Sequence, residues 1–225
     1  PLAGEFNLEN ILCAVGACVA VRIAPDAIRL GIAKTRSVPG RLERVENDAG
    51  IFVYVDYAHT PDALKNTLKT LKKVAGGRLI CIAGCGGDLD RAKRPRLGRI
   101  AVGLSDLTIL TSDNPRSETP MAIIEDMLTG INNGFRPYTA DKLPGAADRP
   151  GYVVEPDRRQ AIRMGIGAAA RGDTVLIAGK GHETYQIIAG RKIPFDDRLE
   201  AAKELSKKEV FEASDLERSA MNNCA

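Results

Sequence analysis

Apolar runs of strand length alternate along the chain with segments whose apolar residues recur at helical spacing. Strands are predicted at 51–55, 78–83, 107–110, 152–154 and 174–178. Helices are predicted from 60 to about 76, from about 95, from 120 to about 130, and over 157–171. Strands separated by helices indicate an α/β fold with a doubly wound, mostly parallel sheet that has helices on both faces.

The two ends of the chain depart from this alternation. Helical patterns at 7–21 and 25–31 precede the first strand and have no predicted sheet to pack on. A hairpin is predicted near 185–195, followed by a charged helix from about Asp196. We therefore expect three parts, namely the tail of a preceding domain (1–36), one α/β domain (37–206) and a polar tail (207–225). A start within a helical pattern favours a piece of a longer protein.

Composition and charge exclude several classes of function. The 225 residues are 44% hydrophobic and 27% charged, which is enough for a full core. The formal net charge is +3, with the Lys and Arg residues scattered among acids. This balance gives no reason to expect nucleic acid or a membrane surface as a partner. Neither a signal peptide nor an apolar stretch of membrane-spanning length is present, so we expect a soluble protein.

The cysteines indicate a reducing compartment. Their number is odd, their spacing does not match zinc ligands, and only two histidines could assist them. We interpret them as reduced thiols of a cytoplasmic protein: Cys13, Cys18, Cys81, Cys85 and Cys224.

Residues that carry chemistry cluster in the loops directly after predicted strands. Ligands of parallel α/β sheets bind beyond the carboxyl ends of the strands, and both histidines of the chain lie in these loops. The sequence therefore predicts a binding site at that edge of the sheet. The loops are Asp56-Tyr57-Ala58-His59, Gly84-Cys85-Gly86-Gly87-Asp88, Asp113-Asn114-Pro115-Arg116 and Gly179-Lys180-Gly181-His182-Glu183.

The turn from Asp113 to Arg116 has the chemistry to bind an amino acid. Arg116 offers a planar fork of donors to a carboxylate, Asp113 can accept from an ammonium group, and Pro115 stiffens the turn between them. These four residues alone are more typical of an Asx turn with a solvated arginine, and only the neighbouring motifs favour a binding role.

Seven motifs, in order along the chain, resemble the carboxyl-terminal half of the Mur ligases, most closely the MurE branch, whose cytoplasmic enzymes add the third amino acid of the peptidoglycan stem. The resemblance implies an ATP- and Mg²⁺-dependent ligase. A carboxylate of the UDP-N-acetylmuramoyl dipeptide would become an acyl-phosphate, which an incoming amine attacks. The motifs are Gly4-Glu5-Phe6-Asn7 with Asn10, Pro39-Gly40-Arg41, 56–64, 84–88, Lys93-Arg94-Pro95, 113–116 and 178–186.

The resemblance implies a nucleotide role for four residues. Asn10 would bond the adenine, Arg41 would meet the terminal phosphate side, and Asp56 would accept from the ribose hydroxyls, while His59 is placed near the nucleotide. The residues alone also allow structural roles. Asn10 suits the start of a helix, Asp56 suits a turn, and His59 could bond a backbone carbonyl beside the strand end.

The resemblance also implies meso-2,6-diaminopimelate as the amino acid, because MurE enzymes with this Asp-Asn-Pro-Arg turn are selective for it. Diaminopimelate carries a carboxylate at its far end that lysine lacks, and an arginine that binds this group loses its partner when lysine is offered. Glu183 would take the distal ammonium, although it could be a solvated loop acid. The implied site comprises Asp113, Asn114, Pro115, Arg116, the Gly179 backbone and Glu183.

One position departs from the family pattern. Leu89 stands where the pattern has a further substrate-binding arginine, and we expect Arg91, two residues on, to substitute from the same loop. The polar stretch 132–149 is also longer than expected for the family, and the sequence indicates no role for it.

No GxxGK[ST] phosphate loop occurs in the 225 residues, and the resemblance implies that this loop and the UDP-sugar domain lie upstream of Pro1. We therefore expect the chain alone to be inactive. Two rival interpretations remain. A folylpolyglutamate synthetase shares the Asp-x-Ala-His turn, but we do not expect the Asp113–Arg116 and Gly179–Glu183 motifs from it. A dinucleotide-binding module would need an acidic residue at the end of the next strand.

Overall fold

The structure is a computed structural model that describes residues 5–35, 37–143 and 149–222. Within these ranges the helices are α1 (Glu5–Ala20), α2 (Pro25–Lys34), α3 (Pro61–Val74), α4 (Lys93–Leu104), α5 (Pro120–Leu128), α6 (Arg158–Ala168) and α7 (Asp197–Asn222). The strands are β1 (Glu43–Val45), β2 (Phe52–Asp56), β3 (Leu79–Cys85), β4 (Leu107–Ser112), β5 (Arg136–Pro137), β6 (Gly151–Val154), β7 (Thr174–Ala178), β8 (Tyr185–Ile188) and β9 (Arg191–Pro194).

Seven strands form one sheet in the order β1-β2-β7-β3-β4-β6-β5. All neighbouring strands pair in parallel except β1, which lies antiparallel to β2. The predicted mostly parallel α/β sheet is confirmed, as is the hairpin formed by β8 and β9. The sequence pattern missed β1 and β5 because three and two residues are too few to show an apolar alternation. Strand β5 lies within the polar stretch 132–149.

Helices cover both faces of the sheet, as a doubly wound fold requires. Side chains of β3 alternate between the faces, so that Ile80 and Ile82 belong to one core cluster, which also includes residues of α6 and α7. Cys81 and Ala83 belong to the second cluster, together with residues of α3, α4 and α5. The alternation of successive strand side chains explains how a continuous apolar run serves two cores.

Helices α1 and α2, which precede the sheet, contribute no described residue to either core cluster. No residue of α2 is buried, and both α1 and α2 expose large apolar side chains, among them Leu12, Val19 and Leu30. Helix α7 continues to Asn222, through most of the segment that we expected to be a polar tail. The division of the chain into domains at 36 and 206 stays a prediction.

The cysteines that the structure describes are free thiols. Burial raises the pKa of the Cys81 and Cys85 thiols to about 12, so both are uncharged and unreactive near neutral pH. Cys224 lies outside the described residues. Within the described ranges no helix combines the length and apolar character needed to cross a membrane.

The four predicted loops follow β2, β3, β4 and β7, and these strands are neighbours in the sheet in the order β2-β7-β3-β4. Since parallel strands end at the same edge, the four loops lie side by side there. Helix α3 leaves the first of them at the predicted cap, where the Thr60 hydroxyl accepts a hydrogen bond from the Ala63 amide at 3.3 Å.

Candidate functional site

A buried ion pair joins the ends of β4 and β7. Arg158, in the first turn of α6, and Asp197, at the start of α7, are both fully buried and form a two-pronged contact at 2.7 Å. The Arg158 guanidinium also donates to the carbonyl oxygens of Ser112 at 3.1 Å and Ala178 at 3.0 Å. These are the last residues of the two strands, so this arginine sets the spacing of the loops that follow them.

Glycines let three loops approach one another closely. Gly40 has a φ of +69°, and a Cβ atom there would lie 2.2 Å from the backbone nitrogen of His182. A Cβ atom on Gly181 would lie 2.7 Å from the Cβ of Tyr57, whose amide donates to the Gly40 carbonyl at 2.8 Å. The Pro39–Arg41 turn therefore packs by its backbone against both the Asp56–His59 loop and the Gly179–Glu183 loop.

The loop after β3 is bound to the loop after β4 in the same way. The Gly87 amide donates to the Asn114 carbonyl at 2.9 Å, and Arg116 Nη1 donates to the Gly87 carbonyl at 2.6 Å. A Cβ atom on Gly87 would lie 2.0 Å from the carbonyl oxygen of Pro115. Pro115 is buried and shapes this turn, but it does not line the cavity described next.

A cavity of about 110 Å³ opens between these loops, and we call it the acidic-basic cavity because acids and cations line it together. Six of the predicted site residues meet there: His59, Asp113, Asn114, Arg116, Gly179 and Glu183. The remaining lining residues are Tyr57, Gly84, Cys85, Gly86, Leu89 and Lys93.

Lys180, which was not among the predicted site residues, holds the acidic side of this cavity together. Its side chain is fully buried, and its ammonium donates to Glu183 Oε2 at 2.9 Å and to Asn114 Oδ1 at 3.1 Å. Asn114 Nδ2 also donates to Glu183 Oε2 at 2.9 Å. Asn114 thus orients Glu183, with its own oxygen accepting from the Ile187 amide at 3.0 Å. The position of Lys180 inside a recognised motif was the signal that could have singled it out.

The two acids of the cavity differ in their electrostatics. Burial raises the pKa of the Asp113 carboxyl above its ordinary value, although Arg158 and Lys180 oppose that rise. Its Oδ1 atom is buried and makes no hydrogen bond among the described residues, although it lies 3.6 Å from the Lys180 ammonium in an ion pair. Burial also acts to raise the pKa of Glu183, but hydrogen bonds from Lys180 and Asn114 outweigh it and hold this pKa below its ordinary value. A buried carboxylate oxygen without a hydrogen bond is costly unless a donor meets it, so Asp113 is suited to accept from a ligand.

Arg116 is held by its backbone and by one side-chain bond. Its φ of +55° lies in the left-handed region, its amide donates to the Ile187 carbonyl at 2.9 Å, and Gly190 donates to its carbonyl. Among the described residues, its guanidinium makes the one hydrogen bond to Gly87. The other N–H groups of the fork are therefore available to a carboxylate.

Arg91 is not brought to this cavity. Its Nε and Nη2 atoms donate to Asp126 Oδ2 at 3.0 and 2.9 Å, which directs the side chain toward α5. Leu89 does line the cavity and is 46% exposed. A Cβ atom on Gly86 would lie 2.9 Å from Arg116 Nη1 and 3.0 Å from Leu89 Cδ1, so these two side chains flank the same point. The geometry gives no support to the expectation that Arg91 substitutes for the missing arginine.

Asn10, Arg41 and Asp56 line a second cavity of about 200 Å³, which we call the α1-side cavity. Arg41 is exposed and lies over the Tyr57 ring, with Cζ 5.3 Å from the ring centroid. Asn10 Nδ2 is 3.5 Å from Asn7 Oδ1. The structure thus brings together three of the residues that were predicted to bind a nucleotide.

Asp56 acts as a turn former in the structure. Its Oδ1 accepts from the Ala58 amide at 3.0 Å and from the Thr67 hydroxyl at 3.2 Å, while Oδ2 accepts from the Leu42 amide at 2.7 Å. Burial raises the pKa of this carboxyl, and these hydrogen bonds oppose the rise. A carboxylate has about four acceptor positions, so Oδ2 retains one for a further donor.

His59 lines the acidic-basic cavity and not the α1-side cavity with which it was grouped. Its Nδ1 atom lies 2.8 Å from the Tyr57 carbonyl oxygen, which is the backbone contact anticipated as the structural alternative. Its ring also packs edge-on against Tyr57, with centroids 4.5 Å apart. A contact of His59 with a nucleotide stays a prediction.

Comparison with known proteins identifies the family. Residues 40–181 match the family described as "Mur ligase, glutamate ligase domain". The chain belongs to the Mur ligase family. This match spans the seven-stranded sheet and ends within the Gly179–Glu183 loop, so it includes every lining residue of the acidic-basic cavity except Glu183.

Two similar relatives in this family are both named UDP-N-acetylmuramoyl-L-alanyl-D-glutamate–2,6-diaminopimelate ligase. The protein of Geobacter metallireducens is 56% identical over 211 residues, covering 92% of this chain and 41% of that protein. The protein of Gloeobacter violaceus is 51% identical over 209 residues, covering 92% of this chain and 40% of that protein. The chain thus spans about 40% of the length of these curated relatives.

Solved structures of this fold are also similar to the chain over part of their own length. A structure of a ligase with the same name has a TM-score of 0.69 and 39% identity, over 93% of this chain and 40% of that one. A folylpolyglutamate synthase of Mycobacterium tuberculosis, complexed with ADP and AMPPCP, has a TM-score of 0.56 and 21% identity, over 80% of this chain and 38% of that one. At that identity the second likeness shows a shared Mur ligase fold and nothing finer.

Proposed function

We propose that this chain is the carboxyl-terminal, amino-acid-binding part of a cytoplasmic ligase that joins meso-2,6-diaminopimelate to UDP-N-acetylmuramoyl-L-alanyl-D-glutamate in peptidoglycan synthesis. The observation that carries the proposal is the pairing, in one cavity, of two acids with Arg116. A zwitterion offers an ammonium group to an acid and a carboxylate to a guanidinium. The name shared by the two relatives supports this choice of substrate.

In this mechanism the chain's own residues present the amine. Asp113 Oδ1 and Glu183 accept from the ammonium groups, while the Arg116 fork binds the carboxylate at the far end of diaminopimelate. The amino acid is thereby held in one orientation, which converts the attack of the amine on the activated carboxylate into a step within a single complex. The activated species would be an acyl-phosphate of the UDP-linked dipeptide.

We assign the nucleotide to the α1-side cavity, because its lining offers an amide, a carboxylate and a guanidinium. Asn10 would pair with the adenine edge, the remaining acceptor position of Asp56 with a ribose hydroxyl, and the exposed guanidinium of Arg41 with the terminal phosphates. ATP, when bound, supplies the phosphoryl group that activates the dipeptide carboxylate. The described residues contain no group of three His, Cys, Asp or Glu that could hold a metal ion, so we assign no step of this chain to Mg²⁺.

The 225-residue chain alone is expected neither to hydrolyse ATP nor to form a peptide bond, because its sequence contains no phosphate loop. Phosphate release and product formation, assayed with ATP, the UDP-linked dipeptide and diaminopimelate, test this expectation. Turnover by the chain would contradict the assignment. Calorimetric titration of the same chain with NAD addresses the rival dinucleotide-binding function, and a saturable heat with NAD would favour that rival.

The fold also leaves a folylpolyglutamate ligase as a second candidate. The full-length enzyme separates the two functions, since diaminopimelate should support ligation to the UDP-linked dipeptide while glutamate should not extend a folate. The Asp113–Arg116 turn favours the first outcome, because the far end of diaminopimelate carries both a carboxylate and an ammonium, whereas the far end of glutamate carries a carboxylate alone.

Substitutions at Leu89 and Arg91 in the full-length enzyme should have unequal effects. Arg91→Ala is expected to leave the KM for diaminopimelate nearly unchanged, since Arg91 pairs with Asp126 outside the cavity. Leu89→Arg places a cation beside Arg116 and should lower this KM by about fivefold, which corresponds to about 1 kcal/mol. Steady-state KM values for diaminopimelate and lysine, measured for both variants, test these two expectations. A marked rise for Arg91→Ala would restore the view that Arg91 compensates for Leu89.

A further inference from the structure

A second cation of the acidic-basic cavity, Lys93, has no role in the proposed function so far. It lies in the first turn of α4 and lines the cavity with Arg116, Asp113 and Glu183. Its ammonium makes one long contact, at 3.5 Å, with the carbonyl oxygen of His59. An ammonium group has three donors, so most of its hydrogen-bonding capacity is unused.

The other cations near this cavity are already engaged. Lys180 is paired with Glu183 and Asn114, and Arg91 is paired with Asp126. The Arg116 guanidinium has N–H groups that make no hydrogen bond to the described residues, but these can bind only one carboxylate in a two-pronged contact. Diaminopimelate carries two carboxylates, so a substrate bound by Arg116 alone would leave one negative group without a cation.

The position of Lys93 indicates which carboxylate it would meet. Its ammonium lies against His59, which is in the same short loop as Asp56, a residue of the α1-side cavity. Arg116 instead lies against Gly87, in the loop after β3. If the nucleotide occupies the α1-side cavity, the reacting end of the amino acid must lie toward the His59 side and its far end toward Gly87.

We propose that Lys93 binds the substrate carboxylate next to the reacting amine, while Arg116 binds the carboxylate at the far end. This inference rests on the proposed function. Together, the two cations and the two acids give diaminopimelate one partner for each of its four charged groups. Lys93 is therefore expected to bind the carboxylate of any amino acid offered to the site. Arg116 is expected to contribute only when the amino acid has a second carboxylate.

Lys93→Met in the full-length enzyme tests the proposal, because methionine keeps the length of the side chain and removes its charge. The KM for diaminopimelate should rise by about fivefold or more, consistent with the loss of one charge-assisted contact, while the KM for ATP stays unchanged. Lys93→Arg should restore the KM to within about threefold. Lys72→Met, on the exposed side of α3, is the matched control and should change neither constant.

Chemical acetylation of the wild-type enzyme supplies a test that does not depend on a variant that folds. Diaminopimelate should protect Lys93 from acetylation, and ATP should not, with the exposed Lys72 modified equally in every sample. The proposal is overturned by an unchanged KM in Lys93→Met, by an equal rise in the KM for ATP, or by a lack of protection. An unmodified enzyme that does not use diaminopimelate at all would instead overturn the proposed function.

Discussion

Asp197→Asn is expected to lower the free energy of unfolding of the chain by about 3–5 kcal/mol, because it leaves the Arg158 charge buried without a counter-ion. Asparagine has nearly the same shape as aspartate, so little of the loss should come from packing. Urea denaturation measures the effect as a lower midpoint with an unchanged slope. A loss of this size is a large part of the stability of an ordinary domain.

Two further variants distinguish the loss of the buried ion pair from a general loss of stability on substitution of a charged residue. Asp26→Asn changes an exposed partner of Arg29 and should have little effect on unfolding. Replacement of both buried partners, as Arg158→Met with Asp197→Leu, should recover most of the stability lost in Asp197→Asn, since it removes both charges together. A double variant as unstable as the single one would show that the hydrogen bonds to Ser112 and Ala178, and not the buried charge, account for the loss.

The sequence alone could predict which edge of the sheet carries the site. The alternation of apolar strands with helical patterns implies parallel pairing, and parallel pairing places all loops that follow strands at one edge. Asp113, Arg116 and Glu183 therefore had to lie on the same side of the sheet, and the structure brings them to one cavity. The strand order β2-β7-β3-β4 makes their loops neighbours. This order could not be predicted from the sequence, because nothing local in β7 shows that it inserts between β2 and β3.

The residues that sequence reasoning missed are charged side chains whose partners lie far away along the chain. Charged residues at the start of a helix, such as Arg158 and Asp197, are ordinarily exposed, and burial follows here only because α6 and α7 pack on the same face of the sheet. Arg91 is the reverse case, because it was expected in the site from its place in the sequence and lies outside the cavity in the structure. Its loop position suggested the cavity, whereas its partner Asp126 lies on α5, out of reach of any local pattern.

Arg116→Lys in the full-length enzyme should raise the KM for diaminopimelate by at least about tenfold, corresponding to more than about 1.4 kcal/mol. Lysine keeps the positive charge, but its single ammonium cannot bond the Gly87 carbonyl and grip a carboxylate with two parallel N–H groups at once. Steady-state kinetics with diaminopimelate and with ATP measure the effect. The KM for ATP should barely change, because Asn10, Arg41 and Asp56 line a separate cavity.

Arg96→Lys, on the exposed part of α4, is the matched control and should leave both constants unchanged. Lysine as the alternative substrate gives the sharper comparison. It lacks the far carboxylate, so Arg116→Lys should reduce the preference for diaminopimelate over lysine mainly by weakening diaminopimelate. If the KM values for diaminopimelate and ATP rose by the same factor, Arg116 would be serving the packing of its loop against Gly87, and the choice of amino acid would rest on the Asp113 and Glu183 side of the cavity.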